Sequence, residues 1–450
     1  MPMTCNARVS RTFVVAVSLI ATMAFTGALP AHAKLTVMHG FADYASVLLW
    51  IQADAPGTVD VTWRIAGDSR DRSVRLDARA ADDNVVVARL SGLTPDAAAT
   101  YVVTGDGDRR EGTVRAQPRW TRSADARDIA IAIGSCAYLA DENPIWGSQS
   151  YGGGYEIFDA IAGKRPDMMV WLGDYLYFQP QDEFDPEQMN FRYRRQRALP
   201  ALQALNTATS HVAIWDDHDY GPNDADMSYV MKGDALKIFR RYWANPSYGL
   251  PETPGIFGRV RWGDVDLFLL DDRYYRSAND LLDGPGKTMF GAAQLEWLKN
   301  ALVYSHARIK LVVSGSQLWN GVNRFEGWNH YAIEQRAFGD WLVAQKVEGL
   351  IFVTGDRHFS ELLKVERAGA YPFYEFTSSP LTSGTFPNPP GERENPDLVA
   401  GTFVAKRQFG MIRVTGPGDD RTIALESYDG GGALLWRHEI RARDLKFPRQ

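Results

Sequence analysis

Short apolar runs, each ending in a chemically active side chain, punctuate the chain between residues 129 and 358. Residues 129–133 run into Gly134, Ser135 and Cys136, residues 168–172 into Gly173 and Asp174, and residues 212–215 into Asp216, Asp217, His218 and Asp219. Residues 265–270 end at Asp271, Asp272 and Arg273, residues 311–313 at Ser314, Gly315 and Ser316, and residues 350–353 at Gly355, Asp356, Arg357 and His358. Runs of this length without polar alternation predict strands buried on both faces. Open α/β sheets bind ligands outside the carboxyl ends of such strands. If these ends converge, carboxylates, imidazole and thiol meet in one place, and those are metal-ligand types.

Between the runs, residues 186–205, 234–243, 292–303 and 334–345 have helical spacing. A mixed sheet layered with helices is therefore predicted, with Leu295, Trp297, Leu298 and Leu302 as a core-facing stripe. Residues 34–120 follow another period. Segments 46–52, 59–65, 84–90 and 100–104 alternate and are divided by Gly, Pro and Asp turns, the spacing of a small all-β sandwich of the fibronectin or Ig type. Leu93-Thr94-Pro95 followed by Tyr101 has the form of a tyrosine corner, a packing device. Beyond Ser379 a Pro/Gly-rich stretch predicts a long surface loop near the strand ends. Residues 409–414, 423–427 and 433–439 then form a terminal β-meander that completes a second sheet. Gly152-Gly153-Gly154 lacks the Lys and Ser/Thr of a phosphate-binding loop and is expected to be a flexible loop over the approach to the site.

Composition changes this picture only at its margins. A chain of 450 residues with 45% hydrophobic content has ample apolar surface for a large core. A net charge of -6 argues against nucleic acid or an anionic membrane as a partner held by bulk charge. Arg8 and Arg11 precede an apolar run to about residue 29, and Ala31-His32-Ala33 has the small-x-small form of a cleavage site. A signal peptide over 1–33 is expected, followed by the β-sandwich over 34–120 and the catalytic region over 121–450. Export to a secreted or periplasmic location would follow, with no integral membrane segment left after cleavage. Of the two cysteines, Cys5 would leave with the signal, so Cys136 has no internal disulfide partner. A lone thiol in an oxidising compartment is either buried and inert or a thiolate ligand. The carboxylates at neighbouring strand ends favour the ligand.

Gly134-Ser135-Cys136, Gly173-Asp174-Tyr175-Leu176-Tyr177, Trp215-Asp216-Asp217-His218-Asp219, Leu270-Asp271-Asp272-Arg273 and Gly355-Asp356-Arg357-His358 occur in that order. Together they resemble the ordered motifs of the PhoD-like alkaline phosphatases, within the metallophosphoesterase fold. Phe290-Gly291 with Gln294, Trp297 and Leu298, and Ser314-Gly315-Ser316-Gln317, fit the same pattern. The resemblance covers nearly the whole mature chain. It implies a four-layer αββα sandwich preceded by the small β domain, and a mixed site holding Fe³⁺ and Ca²⁺. Carried over, Cys136, Asp174 and Tyr177 would bind iron, Asp174 would bridge, and Asp356 and His358 would complete the cluster. Thiolate with phenolate suits a trivalent, redox-capable metal. The all-oxygen set of Asp217, Asn223 and Asp356 suits Ca²⁺. Tyr175 is read as packing and Asp216 as orienting its turn.

A phosphate ester is an anion attacked slowly by water, so a catalyst must supply positive charge and an ionised nucleophile. Clustered metals do both. His218 is the candidate general acid, and Arg273 or Arg357 the candidate for the non-bridging oxygens. A phosphate-ester substrate, a phospholipid among the possibilities, is the expected partner. The rival readings are a phospholipase C-type phosphodiesterase on the same scaffold and a non-catalytic envelope-binding protein. Two departures from the family stand out: Arg8 and Arg11 are not adjacent, as they would be in a twin-arginine signal, and Asp219 occupies a position where the family often has Glu.

Overall fold

The computed structural model describes residues 34–120, 126–141 and 151–448. The expected signal peptide and its cleavage site lie outside these residues. The first seven strands are β1 (Leu35–Ala42), β2 (Ser46–Ala53), β3 (Gly57–Ile65), β4 (Arg72–Ala78), β5 (Val85–Ser91), β6 (Ala98–Gly105) and β7 (Asp108–Arg115). They form two sheets, β1-β2-β5 and β4-β3-β6-β7, the sandwich that the alternating pattern predicts. β6 buries Ala99, Tyr101 and Val103 at every second position. Tyr101 lies opposite Gly112 and its ring covers that glycine. Its hydroxyl meets Nε2 of His39 at 3.0 Å and not the backbone partner of a tyrosine corner.

β2 departs from alternation and is buried along its whole length. Its outer face packs on the rest of the molecule: Trp50 donates to the Arg241 carbonyl at 2.8 Å, and Gln52 to the Tyr242 hydroxyl at 3.2 Å. The sandwich and the layers that follow share one apolar core and belong to one compact body.

The next elements in order are β8 (Ile129–Gly134), α1 (Ile157–Gly163), β9 (Met168–Leu172), α2 (Pro186–Arg197), α3 (Gln203–Ala208), β10 (Ser210–Ile214), α4 (Asp217–Tyr220) and α5 (Lys232–Tyr242). Then come β11 (Gly258–Trp262), β12 (Val265–Leu269), α6 (Ala292–Tyr304), β13 (Ile309–Val313), α7 (Ala332–Ala344), β14 (Leu350–Thr354), β15 (Ser360–Val365) and β16 (Phe373–Ser378). The meander is β17 (Gln408–Thr415), β18 (Thr422–Asp429) and β19 (Leu434–Arg441). Two six-stranded sheets result, β10-β9-β8-β17-β18-β19 and β11-β12-β13-β14-β16-β15. In each, the strands that end in chemistry run parallel.

The sheets meet face to face, with the Phe376 and Trp436 rings 4.9 Å apart. On one outer side α1 packs on α3 and α2 on α5. On the other, Phe338 of α7 sits 5.5 Å from Trp328, and Trp319 carries the contact to Phe352 of β14 at 5.4 Å. This is the four-layer αββα sandwich. Among the described residues no helix is long and apolar enough to cross a membrane.

The strand ends approach one another closely. Gly173, after β9, and Gly315, after β13, both abut Asp216, and a Cβ at either would stand 2.6 or 2.5 Å from its side chain. Only glycine lets two sheets bring their edges this near a third residue.

Candidate metal centre

Beyond the parallel strands the backbone turns through a conformation that L-residues avoid. Among the described residues eleven non-glycine positions have positive φ, and five of them, Cys136, Asp174, Asp224, Asp356 and His358, lie at these strand ends or in the loop after β10. Such conformations persist only where the surroundings impose them, and they cluster at functional sites.

Three groups of ligand atoms come together there: Cys136, Asp174 and His358; Asp174, Asp217 and His218; and Asp217, Asp224 and Glu326. Within each group the atoms lie within 4.8 Å of one another. Asp174 belongs to the first two groups and Asp217 to the last two, so the carboxylates link them in a row. Cys136 is fully buried, with Sγ 3.4 Å from Asp174 Oδ2, and the Ser379 hydroxyl donates to that sulfur at 3.0 Å. The Tyr177 hydroxyl lies 3.4 Å from His358 Nε2, and the Tyr151 hydroxyl 3.1 Å from Nδ1. The His218 ring lies 4.1 Å from that of Tyr177, and its Nε2 is 3.9 Å from Asp217 Oδ2.

This arrangement is costly without cations. Burial, and then the Asp217 charge, pushes the Asp174 carboxyl well above its ordinary value. Burial and then Glu326 raise Asp356 to about 8. Burial, with Asp174 beside it, lifts the Cys136 thiol. Burial lowers His358 to about 4, which leaves its imidazole neutral and able to coordinate. Asp217 Oδ1 and Asp356 Oδ2 are buried and accept no hydrogen bond. Buried carboxylate oxygens in that condition call for a positive partner. The mixture of thiol, phenol, imidazole and carboxylate, with oxygens to spare, fits bound metal ions.

The residues expected from sequence are mostly gathered here: Cys136, Asp174, Tyr177, Asp217, His218 and His358 are within the groups or in contact with them. Asp356 borders the row, with the Arg357 guanidinium 3.7 Å from Oδ2. Asn223 lies outside the three groups, whereas Asp224, one residue on and like it exposed, stands with Asp217 and donates its N–H to Asp217 Oδ2 at 2.9 Å. Arg273 is also placed differently from a substrate ligand. It is fully buried, donating to Asp216 at 2.6 Å and to Glu326 at 2.7 Å, so its donors are spent inside the protein. Asp216 stands at the N-cap of α4, where its N–H donates to Asp219 Oδ1 at 2.7 Å and its Oδ1 accepts from Arg273.

Arg357 is held more loosely. Its ion pairs with Asp356 and Glu392 are 3.7 and 3.5 Å long, and Nε has no hydrogen-bond partner. Tyr175 is packing, boxed in by Trp171 and Trp243 and bonded to Arg197 at 2.9 Å. Glu326, Asp224 and Tyr151 are additions that sequence reasoning missed. Tyr151 stands beside the glycine-rich loop, whose Gly153 and Gly154 pack against Arg407.

The architecture is a metallophosphoesterase-like fold, and the row of ligand groups at its strand ends could hold metal ions. A solved structure described as PhoD matches with a TM-score of 0.73 and 19% identity, covering 90% of this chain and 91% of that one. A purple acid phosphatase from yellow lupin (Lupinus luteus) seeds matches with a TM-score of 0.63 and 10% identity, over 92% of this chain and 76% of that one. At these identities the likeness is one of fold. The profile of the PhoD-like phosphatases matches residues 131–418, and the chain belongs to that family. Alkaline phosphatase D of Bacillus subtilis (strain 168) is 24% identical over 384 residues, which is 72% of this chain. The match spans 64% of that relative's length.

Proposed function

We propose that this protein is an exported, metal-dependent hydrolase of phosphate esters. The observation that carries the reading is the row of three ligand groups joined by Asp174 and Asp217, on a chain of the PhoD-like phosphatase family. Cys136, Tyr177, Asp174 and His358 offer the mixed soft and anionic set that suits Fe³⁺. Asp217, Asp224, Glu326 and Asp356 offer the oxygens that suit Ca²⁺. When bound, the ions supply the concentrated positive charge and Lewis acidity that hydrolysis of an anionic ester needs.

The chain's own groups do the rest. Arg357, with its loosely engaged guanidinium, takes the non-bridging oxygens of the transferring phosphoryl group. His218 hands a proton to the departing alkoxide. Burial favours loss of that proton, and the Asp217 carboxylate beside it opposes the loss. Arg273 neutralises Asp216 and Glu326 from inside and keeps Glu326 aimed at the row. The name of the Bacillus subtilis relative, an alkaline phosphatase, supports a monoester substrate and a basic optimum, and the leader expected over residues 1–33 supports export. The test is elemental analysis of the purified protein together with phosphate release from a monoester and alcohol release from a diester. Stoichiometric iron and calcium with release from the monoester are expected. A metal-free protein that hydrolyses neither, even after reconstitution, overturns the reading.

A further inference from the structure

Phe325 is 48% exposed and immediately precedes Glu326, a carboxylate of the third ligand group. The guanidinium carbon of Arg357 lies 4.7 Å from its ring centroid. Phe386, from the Pro/Gly-rich loop, meets the same ring edge to face at 6.0 Å and 71°. The Phe386 N–H donates to the His358 carbonyl at 3.0 Å. Two loops far apart in sequence thus place an aromatic pair over the residues 357–358, at the rim of the metal centre.

An exposed apolar side chain is ordinary on a protein surface and by itself says nothing. Phe325 differs from Leu282 or Val230, which are more exposed still, because its position is fixed. Its N–H donates to Asn323 Oδ1 at 2.8 Å, and Asn323 donates to Gln317 Oε1 at 3.1 Å in the buried loop after β13. A ring anchored through its backbone, and in contact with the arginine that we assign to the phosphoryl oxygens, is placed to meet whatever the phosphorus carries.

We propose that Phe325 and Phe386 form a leaving-group subsite that selects esters of aromatic alcohols. This rests on the hydrolase reading above. The chemistry of the subsite follows from its neighbours. Its walls are apolar and flat, so a planar ring gains edge-to-face contact and loses water. The guanidinium already on the Phe325 face repels a second cation, so a quaternary ammonium such as that of phosphocholine is disfavoured there.

Benzyl phosphate and ethyl phosphate are the probes, since both release an alcohol of similar acidity and differ chiefly in the ring. In the metal-loaded protein, Phe325→Ala is expected to lower the ratio of kcat/KM for benzyl over ethyl phosphate by roughly five- to tenfold, through KM. Phe325→Trp should preserve the ratio, and Phe386→Ala should lower it in the same direction, so the idea stays testable if Phe325→Ala fails to fold. Calorimetric binding of benzylphosphonate against ethylphosphonate, which needs no turnover, should show the same loss. An active enzyme whose ratio and phosphonate preference are unchanged in both alanine variants overturns the subsite and leaves the hydrolase reading standing. A wild type that hydrolyses neither of these monoesters nor a diester sinks both.

Discussion

Asp219 accepts the backbone N–H of Asp174 at 3.2 Å through Oδ1. The same oxygen takes the N–H of Asp216 at 2.7 Å, and Oδ2 takes that of Tyr175 at 3.1 Å. One carboxylate thereby ties the turn after β9, where Asp174 holds its φ of 50°, to the start of α4, which carries Asp217 and His218. It is in none of the three ligand groups, yet it fixes the backbone of the carboxylate shared by two of them.

Replacing Asp219 should therefore damage the centre without touching a ligand. Asp219→Ala is expected to lower metal occupancy and to cut kcat by roughly 10- to 100-fold with little change in KM. Asp219→Glu should be the milder change because the longer carboxylate can still reach the same N–H groups. Steady-state kinetics with elemental analysis check this. An alanine variant with full kcat and full metal content would mean that the turn is held by something else.

The metal-free protein should gain stability on acidification. In the unfolded chain an aspartate titrates near ~3.9. In the folded protein burial, and then the charge of Glu326, raises Asp356 to about 8, and Asp174 is raised too by burial and Asp217. The folded state therefore holds extra protons between those values. The stabilisation is complete below about pH 4 and disappears as pH rises towards 8. After chelation, Tm should fall from about pH 5 to about pH 8, and Asp356→Asn should flatten that slope. Protein reloaded with metal should lie above the chelated protein throughout, since ions that bind only the folded state stabilise it. A chelated protein whose Tm climbs over this interval would contradict the carboxylate crowding.

Cys136 is where the proposed iron and calcium can be distinguished. Its sulfur is the only soft donor in the ligand groups found among the described residues. Cys136→Ser exchanges it for a hard and weakly acidic oxygen of similar size. The expected result is loss of iron with calcium retained and no change in fold, read by elemental analysis and circular dichroism. Loss of both ions together would place the sulfur in a structural role.

What was legible in the sequence follows the origin of each residue. Cys136, Asp174, Asp217, Asp356 and His358 stand one to a few residues past buried strands, and strand direction alone gathers them. Glu326 and Asp224 come from irregular loops, where no period marks a position, so only the folded chain reveals that they face Asp217. The resemblance points to Asn223 in the Gly221-Pro222-Asn223 turn, whereas it is Asp224, in a left-handed conformation, that stands with Asp217. The sandwich was legible from β3 and β6, which alternate. β2 does not alternate because Trp50 and Gln52 reach across to Arg241 and Tyr242. An arginine beside acids reads the same whether it faces a substrate or an internal carboxylate, which is why Arg273 and Arg357 could not be told apart.

The structure does tell them apart, and the two should fail in opposite ways. Arg273 is fully buried and shared between Asp216 and Glu326. Arg273→Met strands Asp216 and leaves Glu326 only the Arg276 guanidinium at 3.5 Å, and breaking a buried pair from one side costs roughly 3–5 kcal/mol. A large fall in the denaturation midpoint should appear even with metal present. Arg357 has ion pairs of 3.5 and 3.7 Å, and Glu392 keeps its bond from Asn320 at 2.7 Å when that guanidinium is removed. Arg357→Ala should therefore cost only about 1 kcal/mol of stability while lowering kcat/KM by about 100-fold. Arg357→Lys should recover little, because an ammonium lacks the planar fork that grips two phosphoryl oxygens. Denaturant melts and phosphate-release kinetics on the same preparations decide the matter. If Arg357→Ala unfolds the protein as readily as Arg273→Met does, Arg357 is a second internal clamp and the phosphoryl oxygens must be held by another group.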